Sequence, residues 1–171
     1  MRPRATMAYP YSCTTLDPKA AESAYSLVEA AGLNVAHQEW LSSVHTSIES
    51  PTAGVMGVQT QCGRIHGVYL YDVKEEANGA SLFHVPFFIA FEIHGPSVTE
   101  IMITSAEQMA ARRNCDFVEI HLDHVSGTRL LGRATGGAAL FTNSGYNVSG
   151  LRLRKPLRKL RARGTVREGS Y

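Results

Sequence analysis

The strongest constraint on the fold is the 13-residue run Ser81-Leu-Phe-His-Val-Pro-Phe-Phe-Ile-Ala-Phe-Glu-Ile93, almost wholly apolar, which breaks at His94-Gly95-Pro96-Ser97. So apolar a segment reads as a buried strand. A helical pattern follows at once: Val98, Ile101, Met102, Ser105, Ala106, Met109 and Ala110 form one stripe, and Ser97-Val-Thr-Glu100 is a capping box that fixes its start. A buried strand that turns sharply into a helix N-terminus aims backbone N–H groups at one point. Such a corner can hold a phosphate or an oxyanion.

The remaining periodicities supply the neighbours of that strand. Asp17-Pro18 gives an N-cap and a first-turn proline, and Ala21, Ala24, Tyr25, Leu27, Val28 and Ala31 keep helical spacing until Gly32. A second, shorter pattern carries Trp40, Leu41, Val44 and Ile48 and stops at Pro51. From Ala53 the period drops to two, so residues 54–60 and 64–73 read as a hairpin turning at Gln61-Cys62-Gly63. The polar loop ending in Asn78-Gly79 returns the chain beside the second hairpin strand. Pro86 cannot donate to a ladder and marks an edge, a bulge or a local splaying. Residues 117–122 alternate as a strand, Leu130, Leu131, Ala134, Ala138 and Phe141 mark a weaker helix, and Val148 to Leu153 alternates as a last strand. Strand, helix, strand at this spacing implies a parallel pair at the sheet centre. The predicted class is a single α/β domain with a mixed central sheet and helices on both faces.

Composition narrows the function classes. The 171 residues are 44% hydrophobic and 19% charged, enough for one sizeable core. No run reaches the roughly 18 apolar residues of a membrane span, and the N-terminus has no signal-like stretch, so a cytoplasmic protein is expected. Cys13, Cys62 and Cys115 are odd in number and widely spaced, which gives neither a disulfide framework nor a CxxC pair. Charge is uneven: residues 1–151 hold nine Lys and Arg against 14 Asp and Glu, whereas residues 152–171 hold eight against one. That basic end offers a surface for nucleic acid, but no aromatic residue interleaves its charges to stack on bases, so a last strand and a solvated terminus are the better reading.

The order of elements, with the corner after the apolar strand, resembles the GNAT superfamily of N-acetyltransferases across residues 13–157. The closest local matches are the helix ending Ala106-Glu-Gln-Met-Ala-Ala-Arg-Arg-Asn-Cys115 before a strand, and Leu140-Phe-Thr-Asn-Ser-Gly-Tyr146, which looks like the family's Leu-Tyr-x-x-x-Gly-Phe ending. The resemblance implies a GNAT-like domain over residues 1–157, with residues 158–171 as a flexible basic tail. It also implies acetyl-CoA as cosubstrate, a small-molecule or protein amine as acceptor, and a homodimer, since paired subunits are common in the family. In the family a Q/R-x-x-G-x-G/A loop holds the cofactor pyrophosphate; here those six positions are His94, Gly95, Pro96, Ser97, Val98 and Thr99. With the strand end at Phe91 and Ile93, the expected cofactor-binding residues are Phe91, Ile93, His94, Gly95, Ser97, Val98 and Thr99.

Departures from the family pattern matter as much as the matches. Ser97 and Thr99 stand where glycines are expected, Pro96 has no N–H, and Glu100 places a negative charge in the first turn. The tyrosine that protonates the leaving thiolate in many members is Phe141 here, leaving Tyr146 as the nearest phenol, at the position of a packing phenylalanine. Groups able to take a proton from an ammonium are Glu92, His94, His121, Asp123 and His124, with Glu92 the expected base and Tyr146 the expected acid. The thioester carbonyl contact falls on the strand backbone in residues 89–93. His121-Leu-Asp123-His124 resembles a metal cluster, but alternation separates His124 from the other two, so no metal is expected. The altered loop keeps a second reading open, a non-catalytic module of the same fold that binds a ligand or a partner.

Overall fold

The computed structural model describes residues 11–91, 97–121, 141–149 and 152–157. Strands β1 (Tyr11–Thr15), β2 (Ala53–Thr60), β3 (Ile65–Glu75), β4 (Ser81–Ala90), β5 (Phe117–His121), β6 (Asn147–Ser149) and β7 (Arg152–Pro156) form one sheet in the order β1-β2-β3-β4-β5-β7-β6. Helices α1 (Pro18–Ser23), α2 (Tyr25–Ala30) and α3 (His37–Glu49) precede the hairpin, and α4 (Val98–Arg112) links β4 to β5. The β4–β5 pair is parallel and every other pairing is antiparallel. Among the described residues no helix is long and apolar enough to cross a membrane.

Local chemistry explains most boundaries. The Asp17 side chain caps α1 through the Ala20 N–H at 2.8 Å, with Pro18 in the first turn. The periodic stretch up to Gly32 is not one helix, however, because it breaks at Ala24 into α1 and α2. The hairpin turns where Gly63 adopts φ 80°, and Asn114 ends α4 at φ 55°, the left-handed conformation that stops a helix. Two strands differ from expectation. Residues 11–15, read as no element, pair with β2 through Thr15↔Met56, and the single last strand is a hairpin, β6 against β7. Both belong to short, weakly alternating segments whose ladder partners supply the order that local pattern lacks.

Two cores lie on opposite faces of the sheet. On one, α1 to α3 cover Val55, Val68, Leu70, Phe87 and Ile89, with Trp40 fully buried, 5.1 Å from the Phe87 ring and donating Nε1–H to the Ala21 carbonyl at 3.0 Å. On the other, Val98, Met102, Ala106 and Ala110 of α4 pack on Tyr69, Phe83, Val85, Phe88, Val118 and Ile120. Arg113, just past α4, donates to the Pro51 carbonyl at 2.8 Å and to the Tyr71 hydroxyl at 3.2 Å, tying that helix end to the start of β2.

The start of α4 rests on Gly67. A Cβ there would collide with Met102 Sδ and come within 2.9 Å of Val98 Cγ1 and 3.3 Å of the Ile89 carbonyl. Gly67→Ala is therefore expected to lower stability by about 1–3 kcal/mol, the usual cost of overpacking, read as a shifted midpoint with unchanged slope in urea unfolding.

Candidate functional site

The site begins with a proline inside a central strand. The register between β3 and β4 runs Leu70↔Phe87 and then Asp72↔His84, so Val85 and Pro86 together oppose Tyr71 in a β-bulge. On its other side β4 pairs with β5 only from Leu82↔Phe117 to Val85↔Ile120, although β4 continues to Ala90. The described ladder ends one position before Pro86, whose place in the register falls to His121, the last described residue of β5. Of the outcomes open to that proline, the structure shows a bulge in the strand interior rather than an edge.

Backbone direction follows from one bond. Phe91 donates its N–H to the His66 carbonyl at 2.9 Å, so residues 87, 89 and 91 direct their amide groups to β3. Phe88 and Ala90 then direct N–H and C=O to the side where the described ladder with β5 has ended. A polar acyl chain laid there would meet strand-like donors and acceptors.

Past the end of β4 stands α4. Ser97 is its N-cap and accepts the Glu100 N–H at 3.2 Å, while the Ile101 N–H bonds to the Ser97 carbonyl at 3.1 Å. Val98 and Thr99 open the first turn, where helix dipole and amides favour an anion. Val98 is fully buried and Thr99 is 1% exposed. Phe91 is half-buried beside the α1 to α3 core. Glu92, Ile93, His94 and Gly95 lie outside the described residues, as do Asp123 and His124.

A cavity of about 390 Å³ opens beside the bulge, between α3 and the sheet, floored by Trp40, Leu70, Pro86 and Phe87 and rimmed by Glu39, Ser43 and Thr46. Next to it a polar group crosses β3, β4 and β5: His84 Nδ1 lies 2.6 Å from Asp72 Oδ1, and His121 Nε2 lies 2.7 Å from Glu119 Oε1. Sequence inspection singled out His121 but missed His84, Asp72 and Glu119. Alternation places Glu119 with His121 on one face, whereas His84 joins them only through the register His84↔Glu119.

No protein-family model matches the sequence, and neither does any curated protein. Solved structures do match. The acetyltransferase of the GNAT family from Streptococcus pneumoniae superposes with TM-score 0.60 over 86% of this chain and 99% of that one, at 11% identity. Spermidine N-acetyltransferase from Vibrio cholerae in complex with CoA and spermine gives TM-score 0.60 over 86% and 95%, at 11% identity. The NatC complex bound to Gag peptide and CoA gives TM-score 0.61 over 86% and 99%, at 12% identity. The chain has the GNAT acyl-CoA N-acyltransferase fold.

Within the GNAT fold, Tyr146 is placed against Phe141, ring centroids 5.8 Å apart and nearly perpendicular, with only 3% of its surface exposed. Burial, and then the neighbouring Glu107 carboxylate, push its phenol far above the usual value of about 10. A phenol so reluctant to release its proton suits packing better than protonation of a thiolate. Tyr69, across the same core, is raised by burial as well, and its hydroxyl meets Ser105 Oγ at 3.0 Å. A raised folded value means that unfolding favours ionisation, so both phenols contribute stability below about pH 10 that declines as pH climbs through their folded values. In an alkaline titration followed by phenolate absorbance, Tyr69→Phe and Tyr146→Phe are each expected to remove amplitude only from the late phase that accompanies unfolding.

Proposed function

We propose that this protein is an acyl-CoA-dependent N-acyltransferase, with acetyl-CoA as donor and an amine as acceptor. The observation that carries the reading is the bulge at Val85 and Pro86, in the strand that lines a cavity on one face and runs on toward the capped start of α4. In this reading the pantetheine arm lies against Phe88 and Ala90, and the pyrophosphate sits on the corner formed by Phe91, Ile93, His94, Gly95, Ser97, Val98 and Thr99. Two structures of similar fold were solved with CoA, one with spermine and one with a peptide.

The chemistry needs a neutral amine, a polarised thioester carbonyl and a route for the proton. Backbone N–H groups past Pro86 supply the polarisation. Glu92, a lone carboxylate at the end of an apolar run, is assigned as the base, and desolvation there would raise its pKa toward neutrality. Tyr146 is assigned to packing beside the acyl chain rather than to the acid role, because its hydroxyl is buried. The acceptor enters the cavity under α3, where Glu39 favours a cationic amine and Trp40 and Phe87 bound its apolar part.

Calorimetry and thermal unfolding with acetyl-CoA test the donor site. Saturable binding is expected, with about 2.7 kcal/mol of stabilisation at a hundredfold excess over Kd, and Ser97→Trp should weaken affinity at least tenfold. No binding at millimolar acetyl-CoA would overturn the assignment. For the acceptor, Glu39→Gln is expected to raise KM for a polyamine about fivefold with kcat little changed, the signature of lost uniform binding worth roughly 1 kcal/mol.

A further inference from the structure

On the sheet face that carries α3, alternation along β3 puts Asp72 and Lys74 in line with Leu70, and the register brings His84 and Glu119 opposite one another. His84, Glu119 and His121 each present a ligating atom, all within 4.8 Å of one another. Their side chains are 10%, 13% and 16% exposed, so these are largely desolvated groups rather than surface residues that happen to be close. The two imidazole rings stand 4.6 Å apart and nearly perpendicular, at 84°.

We propose that His84, Glu119 and His121 bind a divalent transition metal of the zinc class, joining β4 to β5 beside the bulge at Pro86. Two imidazoles and a carboxylate form a three-ligand set that suits zinc, cobalt or nickel and leaves a fourth position for water, whereas magnesium and calcium prefer all-oxygen sites. The surrounding residues supply the orientation that metal ligands need. Asp72 Oδ1 accepts from His84 Nδ1 at 2.6 Å, which fixes the ring and presents Nε2 as the lone pair toward the metal. Lys74 Nζ is 2.9 Å from the same Nδ1, but it also meets Asp72 Oδ2 at 3.3 Å, and one nitrogen cannot both donate to Asp72 and accept from Lys74. The shorter carboxylate contact decides that tautomer. Arg154, forked on Glu76 at 2.9 and 2.7 Å, stands 3.7 Å from Glu119 Oε2 and holds that carboxylate from behind.

With both histidines neutral, the form that ligates, the carboxylates of Asp72, Glu76 and Glu119 are balanced by Lys74, Arg154 and Arg152, the last opposite His121 in the register. Donors around a tetrahedral ion with bonds of about 2.1 Å sit roughly 3.4 Å apart, so no pair need close by more than about 1.4 Å, while His121 Nε2 and Glu119 Oε1, now 2.7 Å apart, must exchange their hydrogen bond for the ion and open slightly, both within reach of side-chain rotation.

The inference stands apart from the acyltransferase reading, since its test needs no acyl-CoA. The untagged full-length chain, stripped with a chelator, is titrated with Co²⁺ and Zn²⁺, and with Mg²⁺ as a control. Expected are one micromolar site for Zn²⁺, visible d–d absorption of bound Co²⁺ displaced by Zn²⁺ but not by Mg²⁺, and a rise in unfolding temperature. His84→Gln and His121→Gln should each weaken Co²⁺ binding at least tenfold, and Cys62→Ser, which removes an exposed thiol, should leave it unchanged. Absence of saturable Co²⁺ or Zn²⁺ binding to the wild-type chain overturns the proposal whatever the variants do. So does a loss smaller than about tenfold in either histidine variant.

Discussion

One bulge in the most apolar strand organises this molecule. Pro86 has no N–H, and it falls where β4 sets two residues, Val85 and Pro86, against Tyr71. A proline in the middle of a central strand would ordinarily weaken a sheet. Here β3 still pairs with β4 through Gly67↔Ala90, so the sheet keeps its continuity past the bulge.

The packing around the bulge differs between its two sides. Trp40 and Phe87 fill the face under α3, while Phe88, Phe141 and Tyr146 meet edge to face in sequence on the other face, at centroid spacings of 5.9 and 5.8 Å. Large rigid aromatic groups resist the inward relaxation that smaller side chains would allow. Below the bulge the interior changes character: Asp72, His84, Glu119 and His121 replace hydrocarbon with paired polar groups, each histidine matched to a carboxylate. Apolar packing above and polar pairing below flank the bulge at Pro86.

Much of this was legible in the sequence because it is local. The Ser97 cap, the stripe on α4, the Gly63 turn and an irregularity at Pro86 each follow from a few consecutive residues, and the order of elements pointed to the GNAT fold. What escaped depends on register. Tyr11–Thr15 becomes a strand only because β2 offers an edge, and His84 meets Glu119 only because β4 and β5 align Leu82 with Phe117. The same holds for charge. Arg154 and Lys155 read as the start of a basic tail, yet they belong to β7 and are matched to Glu76 and Glu107, which lie far away in the chain. The corner residues 92–96, on which cofactor binding turns, lie outside the described residues.

Helix α4 is anchored at both ends, on Gly67 at its start and through Arg113 to Pro51 and Tyr71 at its finish. A helix held in this way transmits restraint along its length, because its intrahelical bonds are stiffer than the contacts on either side. The helix spans about 20 Å between these two anchors, so the corner before it and the foot of the hairpin are held by the same rigid element.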